Sequence, residues 1–315
     1  MQVGLALGQQ RCTWDDLIGA AARADRLGFD SFWIFDHIVP LSPDLEDPVF
    51  ECWTLMGALA QATSSVRLGQ LVTANTLRAP ALLAKMAATV DHVSDGRLIV
   101  GLGSGYWESE HALYGIPFPS LKERGEMLEE ACAVLKGLWR ERRFSFEGKH
   151  YRLTDAPAEP KPLQPGGPPL LLGGRGPERT LRTVARWADM WNMPPGSDGI
   201  VPDQWRALYE VLLARCEEIG RDPGEIETNV SLILVVDEQP GVAARRVAEL
   251  GAMFGMSAEA ARPHCVAGTP AEVAEQLREF EERGVQHFVL GLVSGFNVHT
   301  DDVELFAAEV EPLLG

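Results

Sequence analysis

Short apolar runs alternate with helical patterns along this chain almost from end to end, and that alternation is the strongest constraint on its fold. Val3–Leu7, Ser31–Phe35, Val66–Val72 and Leu98–Leu102 read as strands in the first third of the sequence. Leu170–Leu172, Ala188–Trp191, Thr228–Val236 and His287–Leu292 continue the series. Helical spacing fills the gaps. Trp14–Leu27 puts Leu17, Ile18, Ala21 and Ala24 on one face, and Leu121–Trp139 does the same with Leu128, Leu135 and Leu138. Further helices are expected at Cys52–Ala62, from Pro80 onward, and at Glu178–Arg186, Gln204–Ile219, Gly241–Phe254 and Ala271–Arg283, with Asp301–Leu313 closing the chain. Strands separated by helices predict an α/β fold, a (β/α)8 TIM barrel forming one domain over residues 1–315. The alternative, an open doubly wound sheet, carries a G-x-G-x-x-G turn after its first strand. Ala6–Arg11 supplies none, and Gly101-Leu102-Gly103 follows the fourth strand instead. Arg143–Leu153 predicts a hairpin around Glu147–Gly148, and Pro157–Pro169 holds six prolines and two glycines, so residues 141–169 read as an insertion in the barrel.

Composition narrows the partners. The chain is 46% hydrophobic and 23% charged, enough for a large core, and its net charge of −17 argues against a nucleic-acid phosphate backbone as ligand. Five widely spaced cysteines with no C-x-x-C predict reduced thiols in a cytoplasmic protein. The opening MQVGLALGQQ does not read as a signal peptide, and no run reaches the roughly 18 apolar residues of a membrane span. No metal-ligand spacing such as H-E-x-x-H is present, and no G-x-S-x-G elbow indicates a hydrolase. The expected partners are a small-molecule substrate and a second copy of the chain in a homodimer.

In a (β/α)8 barrel, chemistry sits where the strands end. Four strand ends here are unusual. The stretch Arg97–His111 (RLIVGLGSGYWESEH) runs from a buried strand through Gly101 and Gly103 to Tyr106 and Trp107, which would stack on a flat ligand approaching the main chain. Asp36–His37 follows SFWIF; the imidazole is the candidate proton-handling group, and the carboxylate would hydrogen-bond at the same wall. Leu71-Val72-Thr73-Ala74-Asn75 carries the third strand into polar residues, where a bulge would turn amides toward a ligand. Gly173-Gly174-Arg175-Gly176, before a helix expected near Pro177, combines free turns, unpaired N–H groups and a cation, the makings of a phosphate site without a Walker lysine. Glu108 and Glu110, two apart, would not share a helix face and read as a solvated loop edge; His92 reads as a surface residue.

Taken in order, four stretches resemble the bacterial luciferase-like flavin and deazaflavin oxidoreductases. They are Arg23–His37 (RADRLGFDSFWIFDH), Leu68–Gly103, Leu171–Asn192 (LLGGRGPERTLRTVARWADMWN) and Ala267–Leu290. The resemblance implies a cofactor bound across the carboxyl-end mouth, a non-prolyl cis peptide at Leu71–Val72 backing its ring, and a phosphate loop at Gly173–Gly176. It is nearest to the branch that uses coenzyme F420, an 8-hydroxy-5-deazaflavin, and so implies hydride transfer with a small organic substrate, His37 lying beside the reacting ring. The cofactor-binding residues it implies are Asp36, Leu71, Val72, Thr73, Asn75, Gly103, Tyr106, Gly173, Gly174, Arg175 and Gly176. At Tyr106 the chain departs from the sugar-phosphate dehydrogenases of that branch, which carry a glutamate there. Two alternatives stand: an FMN-dependent monooxygenase of a two-component system, and a noncatalytic flavin-binding protein.

Overall fold

The computed structural model describes residues 1–41, 44–292 and 300–315. Eight parallel strands close into a barrel: β1 (Gln2–Ala6), β2 (Ser31–Ile34), β3 (Arg67–Gln70), β4 (Leu98–Gly103), β5 (Leu170–Gly173), β6 (Met190–Met193), β7 (Glu227–Val236) and β8 (His287–Leu292). Each pairs with the next, and β8 returns to β1 with Gln2 opposite His287 and Ala6 opposite Gly291. The α/β barrel expected from the alternation is the observed fold. Among the described residues no helix is long and apolar enough to cross a membrane.

Local signals explain why several boundaries were readable. The helix Trp14–Leu27 starts at a Thr13–Asp16 capping box and stops at Gly28, which takes the left-handed conformation with φ 85°. Pro80 opens the helix Pro80–Val93 at its first turn. The hairpin pairs Arg143–Glu147 with Arg152–Pro157, so its second strand runs on into the first proline of the stiff segment. Elsewhere the structure corrects the expectation. β6 begins two residues later than its apolar run, because Ala188 N–H still closes the preceding helix and Asp189 bonds Leu170 through both its N–H and its carboxylate. The helix after β5 starts at Thr180, since Pro177–Arg179 form a turn. The strand Cys265–Gly268 is absent from the sequence reading; it lies between the two expected helices Gly241–Phe254 and Ala271–Arg283 and pairs with the carboxyl half of β7.

Alternation of faces sorts each strand's side chains. Val100, Leu102, Leu170 and Leu172 face the helices, while Trp33, Ile99, Leu171, Met190 and Val289 fill the barrel interior. Trp33 fits because its neighbours are small: a Cβ at Gly69 would overlap its ring, and one at Gly4 would stand 2.8 Å from its Nε1. Below it a polar chain joins β2, β8 and β7. Trp33 Nε1 donates to Ser31 Oγ at 2.7 Å, Ser31 Oγ lies 2.8 Å from His287 Nε2, and His287 Nδ1 lies 2.7 Å from Glu227 Oε1.

Toward the mouth the interior faces of β4 and β5 turn to glycine at Gly101, Gly103 and Gly173. A Cβ on Gly101 would overlap the Gln70 carbonyl oxygen. Overpacking a tight core typically costs about 1–3 kcal/mol, and here the obstacle is backbone rather than a yielding side chain. Gly101→Ala should therefore lower the unfolding free energy by about 3 kcal/mol in urea titration. Gly57→Ala, in the helix Cys52–Ala62 with nothing near its Cβ, should raise it by about 0.5–1 kcal/mol. Equal effects of the two would contradict the close approach.

Candidate active site

The carboxyl ends of the strands enclose a cavity of about 310 Å³. Leu7, Trp33, Phe35, Leu71, Pro194 and Val289 give it apolar walls, and Asn192 and Ser231 add polar groups. Asn192 Nδ2 donates to Ser231 Oγ at 2.9 Å and to Asn229 Oδ1 at 2.5 Å, so these side chains form one fixed wall.

One edge is formed by β3. The Leu71–Val72 peptide is cis, at the bond the resemblance singled out, and the strand resumes as Thr73–Ala74 against Leu102–Gly103. Val72 rests where three glycines leave room: a Cβ would lie 3.3 Å from its Cγ1 at Gly101, 2.7 Å from its Cγ2 at Gly103 and 3.1 Å from its Cγ1 at Gly173. Gly103 and Gly173, expected to floor a ligand, first of all make space for this side chain. Thr73 is buried, its hydroxyl accepting from Trp53 Nε1 at 2.9 Å. Asn75 is held by its N–H on Gly103 O and by Nδ2 donating to Tyr151 at 3.1 Å, whereas its Oδ1 is buried without a hydrogen-bond partner. Gln70 Nε2, on the other side of the bulge, is likewise buried and unpartnered.

The exit of β2 carries two separate pairs. Asp36 is buried and gives both carboxylate oxygens to Arg78, at 2.5 and 3.0 Å, and Arg78 also donates to Glu51 at 2.6 Å. Burial alone would pull the Arg78 guanidinium down, but the Asp36 carboxylate more than offsets it, and its pKa is raised. Asp36, expected to meet a ligand, is thus the anchor of a three-residue ion cluster. His37 belongs to the other pair. Its Nδ1 lies 3.2 Å from each oxygen of Glu110, and Ile38 N–H donates to the same carboxylate at 2.7 Å. Glu108 is exposed, as expected, but the side chain of Glu110 is 1% exposed and is an internal carboxylate on the short helix Glu108–Leu113. Burial pushes Glu110 up, yet the bonds from His37, Ile38 and Val39 outweigh it and hold the carboxyl below its ordinary range. Tyr106 reaches the other face of the ring, its hydroxyl 3.3 Å from His37 Nε2.

The glycine-rich segment after β5 lies across the mouth. Gly174 has φ 144°, its N–H bonds Asn192 O and its carbonyl accepts from Trp191 Nε1. Gly176 packs on Thr180, and the helix from Thr180 starts with no side-chain cap. Arg175 donates to Asp198 at 3.1 Å and to Gly199 O at 3.3 Å, tying the loop to the segment after β6. His92 is exposed and bonds Lys161 O, as a surface residue would. The structure therefore gathers His37 and Tyr106 with Glu110 on one side, the Leu71–Asn75 bulge along an edge, and Gly173–Gly176 on another side. Arg78 escaped the sequence reading, and Glu110 was read there as solvated rather than as the partner of His37.

Known proteins bear on this arrangement. Residues 1–264 match the luciferase-like monooxygenase family model. An F420-dependent glucose-6-phosphate dehydrogenase of Kineococcus radiotolerans is 30% identical, covering 100% of this chain and 97% of that protein. Among solved structures, an F420-dependent secondary alcohol dehydrogenase with an F420–acetone adduct superposes with a TM-score of 0.87 at 24% identity, covering 100% and 99% of the two chains. The oxygenating constituent of a diketocamphane monooxygenase from Pseudomonas putida, in complex with FMN, gives 0.78 at 19% identity, covering 99% and 98%. The chain belongs to the luciferase-like monooxygenase family.

Removing one partner of a buried pair leaves an uncompensated charge and costs about 3–5 kcal/mol. Arg78→Met should lose stability in that range by urea unfolding, and Asp36→Asn in the same background should recover part of it. A loss below about 1 kcal/mol for Arg78→Met would show that Asp36 does not depend on the pair.

Proposed function

We propose that this protein is a coenzyme F420-dependent oxidoreductase of the luciferase-like family, moving a hydride between the deazaflavin and a small organic substrate. The observation that carries the reading is the pair of unpartnered buried polar atoms flanking the Leu71–Val72 bulge. Gln70 Nε2 is a donor and Asn75 Oδ1 an acceptor, and an unpaired buried polar group costs about 1–3 kcal/mol. The pyrimidinedione edge of a flavin or deazaflavin carries C=O and N–H groups of both kinds, so the residues present fit such a ring. Full-length similarity to a dehydrogenase named for this cofactor supports the deazaflavin over FMN.

In this reading Leu71, Val72 and Asn75 back the ring, Gly174 turns the loop, and Arg175 and Gly176 hold the phosphate-bearing side chain with backbone N–H groups and one cation. Bound there, the deazaflavin supplies or accepts a hydride, because carbon replaces the flavin N5 and favours two-electron chemistry. His37 takes or gives the accompanying proton at Nε2, and the Glu110 carboxylate on Nδ1 fixes its tautomer and stabilises the imidazolium. Apolar walls line the adjoining cavity, and Asn192 and Ser231 offer polar contacts to the substrate.

Fluorescence titration of the purified protein tests this. The deazaflavin should bind at micromolar or lower Kd and FMN at least tenfold more weakly, a gap of about 1.4 kcal/mol. Arg175→Ala should weaken deazaflavin binding with the fold intact by circular dichroism. Equal affinities, or a preference for FMN, would assign the protein to the monooxygenase chemistry instead; unchanged affinity in Arg175→Ala would move the phosphate site elsewhere.

A further inference from the structure

We propose that Tyr106 is the group that exchanges a proton with the reacting oxygen of the substrate, as the outer member of a relay Glu110–His37–Tyr106. This rests on the hydride-transfer reading above and adds to it the residue that touches the reacting oxygen.

The argument starts from the occupancy of His37. Both ring nitrogens are engaged, Nδ1 by Glu110 and Nε2 by the Tyr106 hydroxyl. The ring is also boxed in by aromatic neighbours, with centroids 5.4 Å from Phe35 and 5.5 Å from both Tyr106 and Trp107. Nε2 already holds the Tyr106 hydroxyl, so a substrate oxygen would have to displace Tyr106 to bond there. Exposure follows the same order along the relay. The Glu110 side chain is 1% exposed, that of His37 11%, and Tyr106 is 70% exposed.

Hydrogen-bond polarity gives the relay its direction. Glu110 is an acceptor, so the neutral imidazole carries its proton on Nδ1 and presents a lone pair at Nε2. Tyr106 then donates to Nε2 and keeps its oxygen lone pairs for a proton from outside. A phenol, with an ordinary pKa of about 10, stays a donor at neutral pH. Placement is fixed by the exit of β4. Gly105 has φ 77° and lies so close to Thr76 that a Cβ would meet Thr76 Oγ1 at 2.5 Å, while Arg124 Nε donates to Gly105 O at 3.3 Å. His111, on the same short helix as Glu110, bonds Thr76 Oγ1 at 2.7 Å and ties that helix to the same spot.

With an alcohol as substrate, in the oxidative direction, the substrate O–H bond breaks and its proton bonds to Tyr106 Oη, while the original Tyr106 proton moves to His37 Nε2. The carbinol carbon loses its hydride to the deazaflavin, the two-electron acceptor of the proposed reaction, and a carbonyl group forms. The imidazolium is balanced by Glu110. Carbonyl reduction runs the same transfers backward. Among the described residues, His37 pairs with Glu110 on Nδ1, and the adjacent Asp36 is paired with Arg78.

The test has two readouts. In cofactor-free protein labelled with 15N-histidine, the neutral His37 ring should show the Nδ1–H form, and Tyr106→Phe should move its Nε2 resonance but not Nδ1. With the deazaflavin and a panel of secondary alcohols, Tyr106→Phe and His37→Ala should each lower kcat about 100-fold or more, with cofactor affinity within about threefold. The double variant should be no slower than the slower single variant, because the two residues act as one unit. An unmoved Nε2 resonance, a wild-type rate in Tyr106→Phe, or multiplied losses in the double variant would overturn the relay. Failure of the wild-type protein to bind the deazaflavin would instead sink the functional reading and leave the nitrogen resonances to decide the relay.

Discussion

The seat of Val72 on three glycines is the constraint on which the mouth depends. β3 does not run straight to its end; it stops at Gln70, passes a cis peptide and resumes at Thr73 against β4. That detour places the Val72 side chain inside the barrel rim, where β4 and β5 would normally send their own inward side chains. Gly101, Gly103 and Gly173 remove those side chains and let Val72 take the volume. With the interior filled in this way, the bulge is held by packing against neighbouring strands. Gln70 Nε2 and Asn75 Oδ1, on either side of it, are buried without hydrogen-bond partners.

The second element of the site is an internal carboxylate acting on an imidazole across the barrel rim. Glu110 gains three kinds of partner, the His37 ring, Ile38 N–H and the more distant Val39 N–H, and through them it fixes both the ring and the loop that follows β2. Asp36, one residue earlier, does the same for Arg78 and Glu51. Two adjacent residues at one strand end thus anchor two different neighbours. Alternation of strand faces makes this division natural, since successive side chains leave the backbone in opposite directions.

Much of the frame was legible in the sequence because its signals are local. Capping by Thr13 and Asp16, the stop at Gly28 and proline at position 80 mark helix ends within a few residues of the boundary they set. The four strand exits were legible for the same reason. What escaped depends on contacts distant in sequence. Glu110 lies on a helix of six residues, too short for a periodic apolar face, and its partner is 73 residues away. Arg78 meets Asp36 across 42 residues. The glycines were found but their first duty was not, because a glycine that yields space to valine and one that yields space to a ligand look alike in sequence. The strand Cys265–Gly268 was lost because four residues carry little alternation.

We propose that the bulge at Leu71–Val72 and the His37 side of the mouth share one ring-shaped ligand. A crystal structure of the complex with oxidised coenzyme F420 tests it most directly. The account predicts density for the deazaflavin ring between the bulge and His37, its pyrimidinedione edge on Gln70 or Asn75, and its phosphate-bearing chain at Gly173–Gly176. A ring bound away from the bulge, with Gln70 Nε2 and Asn75 Oδ1 still unpartnered, would contradict it.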